Sequence, residues 1–263
     1  MKELTPEQLQ DNWSKLIQLI KDTFPEDYPD DRRGKLLKMY HHFEERMCLA
    51  PASGKEHFHN AMVGGYVAHV LHVIESALQV KSLWEQNGGK IDFTDEELIF
   101  AAMHHDLGKV GDLEIDYYVP QESDWHRKNK GEIYMHNPEL DYMTVTDRAL
   151  FILQHFGIKL SKLEYIGLKL TDGLYEEANK SYYIQYFPQN VLRSNIAYIL
   201  HQADMMATHI EYDKWMKGDE KEKVKVKKSV EKIKKAADTT SKFLSSDNDN
   251  AKDLFDELFG EKK

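Results

Sequence analysis

Apolar residues recur at helical spacing along most of the chain, and polar stretches containing Gly or Pro separate the runs. Thr5 opens T-P-E-Q, a capping box with proline at the first helical position, and Leu9, Trp13, Leu16, Ile17 and Ile20 follow as one stripe. The segment from Phe24 to Asp31 breaks the pattern. A second helix is expected from Arg32 to Cys48, with Leu36, Leu37, Tyr40, Phe43 and Met47 on one face. After the turn Ala50-Pro51-Ala52-Ser53-Gly54, a helix from Gly65 onward buries Val67, Val70, Leu71, Ile74 and Leu78. It carries His69 and His72 near that side, one turn apart. Asn87-Gly88-Gly89 closes it, and Thr94-Asp95-Glu96-Glu97 begins the next.

That next stretch, Glu97 to Asp112, reads E-L-I-F-A-A-M-H-H-D-L-G-K-V-G-D. Leu98, Ile99, Ala102 and Leu107 make it a buried helix carrying His104, His105 and Asp106 at its C-terminal end. Gly108 there is expected to take the left-handed backbone that stops a helix. Burying three such groups without partners costs about 2 kcal/mol or more each. A metal ion offsets that cost, because neutral imidazole and ionised carboxylate are natural ligands for a transition metal. The plainer alternative is a helix end capped by its own Asp with one hydrogen-bonded His.

Periodicity dissolves from Leu113 to Leu140, a polar and aromatic connection expected to form a lid or wall of a pocket. Helices return at Thr144 to Phe156, with Arg148 among Leu150, Phe151 and Leu153, and at Ser161 to Leu170, opened by the capping box S-K-L-E. The polar loop T-D-G-L-Y-E-E-A-N-K-S-Y-Y intervenes. Val191 to Trp215 is then expected to bury Leu192, Ile196, Ile199, Leu200, Ala203, Met206 and Ala207, with Asp204 set among them. An aspartate on such a face is costly unless paired or metal-bound. No segment has a convincing strand period and no repeat is visible, so the expected class is all-α. Beyond Trp215 a Lys- and Glu-rich stretch keeps only the thin stripe Val226, Val230 and Ile233. The closing D-L-F-D-E-L-F-G either folds back or binds a protein partner. The division expected is residues 1–55 as N-terminal helices on the core, 56–216 as the core, and 217–263 as a charged, partly flexible extension.

Composition narrows the function. With 263 residues, 41% of them hydrophobic and 30% charged, the chain has ample core, and no apolar run approaches the length of a membrane span. A formal net charge of -10 disfavours duplex nucleic acid, whose affinity comes from Lys and Arg on phosphates. An anionic small molecule remains open if a metal and local cations offset the field. The single cysteine, Cys48, excludes an internal disulfide and, with no signal or transit pattern at the start, points to a reducing cytoplasm.

His69, the His105-Asp106 pair and Asp204 lie on three expected helices whose separations allow convergence. Their order, with G-G-Y-V-A-H leading and H-D-L-G-K carrying the pair, resembles the HD superfamily of metal-dependent phosphohydrolases over roughly Glu56 to Glu211. The resemblance implies an HD-domain helical bundle with His69, His105, Asp106 and Asp204 as metal ligands. It also implies a divalent ion (manganese, iron, zinc, cobalt, nickel or magnesium), one per chain, whose water attacks the phosphate of a nucleotide or related ester or anhydride. Asp106 and Lys109 would be catalytic, Lys109 neutralising developing phosphate charge unless it is simply a solvated residue past the helix end. His59, before the Gly64-Gly65 turn, and Arg148 are candidates for substrate phosphate, with an ion pair inside the bundle as the alternative for Arg148.

Dinuclear relatives add histidines where this chain has Thr146 and Thr171, and His136 and His155 are out of register. That favours one metal over a di-iron oxygenase on the same scaffold. A metal-stabilised binding protein is the third reading. Trp125, Tyr117, Tyr118, Tyr134 and Tyr175 are candidates to stack a base. The stretch Tyr117 to Tyr134 together with T-D-G-L-Y is similar to an HD group often encoded by large tailed bacteriophages, which would place the chain in host cytoplasm.

Overall fold

The computed structural model describes residues 4–184 and 186–214. The expected lysine-rich extension and the closing D-L-F-D-E-L-F-G lie outside them. The described chain is mostly helical and belongs to one compact unit, Lys2–Trp215. Helices α1 (Pro6–Thr23), α2 (Arg32–His42) and α3 (Glu44–Leu49) precede the long α4 (Gly65–Gln86) and α5 (Asp95–His104). A ribbon of β1 (Tyr118–Pro120) and β2 (Tyr134–His136) encloses α6 (Asp124–Lys130). After it come α7 (Val145–His155), α8 (Lys162–Lys169), the short α9 (Lys180–Tyr183) and α10, residues 196–214.

The capping boxes read from the sequence at Thr5 and Ser161 form as expected, with both the side-chain and the return hydrogen bond present. A third forms at Thr94, where α5 begins. The core wraps α5. Leu98 and Phe100 are fully buried, worth about 1.5–3 kcal/mol each by the area they remove from water. Phe100 also carries the Arg32 guanidinium 4.2 Å from its ring centre. That contact ties α2 to α5, and Arg32 pairs with Glu164 on α8.

Four details differ from the sequence expectation. Arg32 to Cys48 is two helices, because Phe43 leaves helical angles (φ -101, ψ 10) and buries its ring against Phe156. The Leu113–Leu140 connection contains an antiparallel ribbon pairing Tyr118 with His136 and Pro120 with Tyr134; strands of three residues are too short to show a period. The last helix starts at 196. Asp92 accepts from Asn195 N and Ser194 Oγ, both at 3.3 Å, which pins residues before 196 as a cap and leaves Leu192 outside the helix. Met206 is half-buried.

Gly108 is the fourth. It does not take a left-handed conformation; Gly111, at φ 104, does. Gly108 is required by proximity: a Cβ there would stand 2.0 Å from the Val145 carbonyl oxygen, so the 3-10 turn Leu107–Val110 lies directly on the first turn of α7.

Candidate metal centre and cleft

His105 and Asp106 follow immediately on α5, His69 lies in the second turn of α4, and Asp204 in the middle of α10. Their donor atoms meet. His69 Nε2 stands 3.3 Å from Asp204 Oδ1 and 3.7 Å from Asp106 Oδ2. His105 Nε2 stands 3.5 Å from Asp106 Oδ2 and 3.8 Å from Asp204 Oδ1. Both rings are fixed from behind. His105 Nδ1 donates to the Ala102 carbonyl at 2.7 Å, and His69 Nδ1 donates to Glu211 Oε2 at 3.0 Å. Because a carbonyl only accepts, His105 Nδ1 carries a proton, and in the neutral ring the Nε2 lone pair faces the cluster.

The donor set fits a divalent transition ion. Donors about 2.0–2.2 Å from one ion stand about 3 to 3.5 Å from their neighbours, close to the spacings here. His105 Nε2 is buried without a hydrogen-bond partner, a cost that an ion removes. His69, His105 and Asp106 together form a group able to hold a metal ion. Glu211 stands where metal centres place a carboxylate behind a histidine to fix its ring orientation. Its other oxygen accepts from His72 Nδ1 at 2.7 Å.

His104 does not join the cluster, contrary to the grouping of three expected from the sequence. It is fully buried, donates from Nδ1 to the Phe100 carbonyl at 2.7 Å and packs on Phe100 and Tyr40. Consecutive helical residues point about 100° apart, so only one of two adjacent histidines can face the site. Burial depresses the His104 pKa to about 3, keeping the ring neutral.

A cleft of about 330 Å³ opens over the cluster. His59, Lys109, Tyr117, Tyr142, Asp172 and Glu176 line it beside the four donors. Lys109 Nζ donates to Asp106 Oδ2 at 2.7 Å and to the Ala52 carbonyl at 3.0 Å, so it is not a solvated residue. His59 packs with its ring centre 4.5 Å from that of His69, tilted by 46°, and its Nε2 is buried without a partner. Arg148 is not a lining residue and makes no bundle ion pair among the described residues. It donates to the Asp141 carbonyl at 2.7 Å and lies 5.3 Å from the Tyr117 ring centre, behind the cleft wall. Of the five aromatic residues expected to stack a base, only Tyr117 lines the cleft. Trp125 is exposed on α6 beneath Lys130, and Tyr175 is exposed near His201. His136, His155, Thr146 and Thr171 are not lining residues either.

The charges interlock. Burial opposes ionisation of Asp106, yet Lys109, His105 and His69 outweigh it and hold its carboxyl below the usual range. Burial also works against charging His69, but its hydrogen bonds to Asp204 and Glu211 prevail and lift its pKa to about 10. Without an ion, that extra proton balances the carboxylates. Glu211, opposed by burial and favoured by His69 and His72, falls to about 2. His59 falls to about 4, through burial and then the cations nearby.

Sequence reasoning missed Glu211, Asp172, Glu176 and Tyr142. Glu211 was legible in principle: it lies seven residues after Asp204, two turns along the same helix face. Asp172 and Glu176 sit in an irregular loop where no period exists to point their side chains. That loop is held by His201, whose Nδ1 donates to the Thr171 carbonyl at 2.7 Å.

Compared with known proteins, the chain matches no family model, no curated protein and no solved structure.

Proposed function

We propose that this chain is a metal-dependent phosphohydrolase of the HD type, acting on the phosphate of a nucleotide or related ester. The observation that carries the reading is the convergence of His69, His105, Asp106 and Asp204 donors from three helical segments at the floor of a cleft that also holds Lys109. The order of these residues and the H-D-L-G-K signature support the family; the donor chemistry supports the metal. No helix among the described residues is long and apolar enough to cross a membrane, and the reading requires none.

A divalent ion held by His69, His105, Asp106 and Asp204 would supply an activated water and polarise a phosphoryl oxygen. The remaining work falls to the chain. Asp106 and Asp204 would help hold the ion at the cleft floor and balance its charge. The Lys109 ammonium, held beside Asp106, compensates negative charge on the phosphoryl oxygens as the bond to the leaving group lengthens. Glu211 and the Ala102 carbonyl keep both imidazoles in the tautomer that presents Nε2.

The test is phosphate release with manganese across ribo- and deoxyribonucleoside mono-, di- and triphosphates, together with metal content as purified. Chelator-sensitive release that disappears in Asp106→Ala supports the reading. Full activity in Asp106→Ala or His105→Ala refutes the site. Silence across the panel with two irons per chain would replace the reading with an oxygenase, and silence with one metal or none with a binding protein.

A further inference from the structure

The loop that lines the cleft at Asp172 and Glu176 carries two carboxylates that the metal centre does not use. Asp172 and Glu176 both line the cleft, and neither belongs to a group of residues close enough to share an ion with the four donors. Among the described lining residues Lys109 is the one Lys or Arg, and its Nζ is already engaged by Asp106 and the Ala52 carbonyl. Even with a divalent ion in place, the lining carboxylates Asp106, Asp172, Glu176 and Asp204 exceed the positive charge of that ion and Lys109 by one.

This balance bears on substrate class. We propose that the cleft selects a phosphate monoester whose alcohol half is rich in hydrogen-bond donors, a nucleoside monophosphate, against the corresponding di- and triphosphates; the proposal rests on the phosphohydrolase reading above. A single phosphoryl group reaches the ion and Lys109 and needs no further cation. The sugar and base then face Asp172 and Glu176, and hydroxyl and amino groups donate to carboxylates in charge-assisted hydrogen bonds. Each added phosphate instead carries negative charge along the cleft toward those carboxylates, with no lining cation to meet it, and like charges brought together repel, the more so at low salt.

The acidic wall is not free to swing aside. His201 holds the Thr171 carbonyl, and Gly173 takes φ 53 against the same ring, where a Cβ would stand 2.5 Å from His201 Nε2. Both carboxylates are therefore carried on a loop braced to α10, the helix that carries Asp204. Tyr117 and Tyr142 line the same space and offer flat rings to a base.

The experiment uses the full chain loaded with manganese. It compares kcat/KM for deoxyadenosine mono-, di- and triphosphate and for p-nitrophenyl phosphate, a monoester without hydroxyl or amino donors. The expected result is a monophosphate preference over the triphosphate of about tenfold or more, with p-nitrophenyl phosphate turned over at a higher KM than deoxyadenosine monophosphate. The double variant Asp172→Asn/Glu176→Gln narrows the preference by raising triphosphate turnover. Raising salt from about 0.05 to 0.5 M narrows it in the parent protein by screening the repulsion and changes it less in the double variant.

A triphosphate turned over as well as the monophosphate overturns the proposal, as does a preference unmoved by the double variant. In both of those outcomes p-nitrophenyl phosphate is still hydrolysed and the phosphohydrolase reading stands. Silence on all four compounds overturns this proposal, and silence across the full ribo- and deoxyribonucleotide panel overturns the phosphohydrolase reading with it.

Discussion

His69 and Glu211, 142 residues apart in sequence, are joined by a 3.0 Å hydrogen bond from Nδ1 to Oε2 in the interior of the protein. The bond turns the Nε2 of His69 toward Asp204 and Asp106, and it couples α4 to the far end of α10. Glu211→Ala removes the acceptor from His69 and His72 together and leaves the His69 ring free to rotate. Metal affinity should fall about 10- to 100-fold, the usual effect of losing the partner behind a ligating histidine. Calorimetric titration with manganese measures it, and an unchanged affinity would separate Glu211 from the centre.

The raised pKa of His69 predicts proton release. At pH 7 the ion-free ring is protonated, since its pKa stands at about 10, and a divalent ion binding at Nε2 must displace that proton. Titrations in buffers of different ionisation enthalpy should report about one proton released per ion at pH 7. Apparent affinity should climb with pH toward that pKa. Release of no proton would show that the ring is neutral before the ion arrives.

Gly108→Ala tests the contact on which the cluster's position depends. The added Cβ meets the Val145 carbonyl oxygen at 2.0 Å, and the Val145 carbonyl carbon and Cα at 2.7 and 2.9 Å, all backbone atoms, so the 3-10 turn or α7 must move. We expect a loss of about 1–3 kcal/mol in denaturant unfolding, accompanied by weaker metal binding because Asp106 immediately precedes that turn. A variant of parental stability would mean that the turn and α7 stand further apart.

His104 gives a pH dependence of definite sign. Its pKa is about 3 in the folded chain against 6.5 for a free ring, so the unfolded chain takes up a proton first as pH falls. The stability contributed by the neutral ring is whole above pH 6.5 and is lost progressively below it. Between pH 6.5 and 4.5 His59 acts in the same direction, its pKa standing at about 4. His69, with its raised pKa, acts in the opposite direction near pH 6.5, where only its unfolded ring still gains a proton, and adds little slope toward pH 4.5. In chelator-treated protein, Tm should fall across this window, and His104→Leu should reduce the fall. An equally steep fall in the variant would assign the dependence to other groups.

Helix positions and the ends marked by capping boxes follow from local chemistry, which is why Thr5 and Ser161 could be read directly. The metal-ligand candidates were legible because polar residues stood on apolar faces, at His69 and Asp204, or at the end of a buried run, at His105 and Asp106. Such placements are costly without a partner and therefore signal one. The sequence also set the net charge and the mostly helical class. It could not tell which of two adjacent histidines faces the site, since that depends on the rotation of α5 in its packing. Nor could it distinguish a glycine needed for φ from one needed for proximity, because the Val145 backbone that crowds Gly108 comes from a distant segment. The three-residue strands, Glu211 behind His69, and the acidic wall of Asp172 and Glu176 were decided by tertiary structure for the same reason. Their roles come from which groups the packed helices bring within hydrogen-bonding or electrostatic reach, and no local period encodes that.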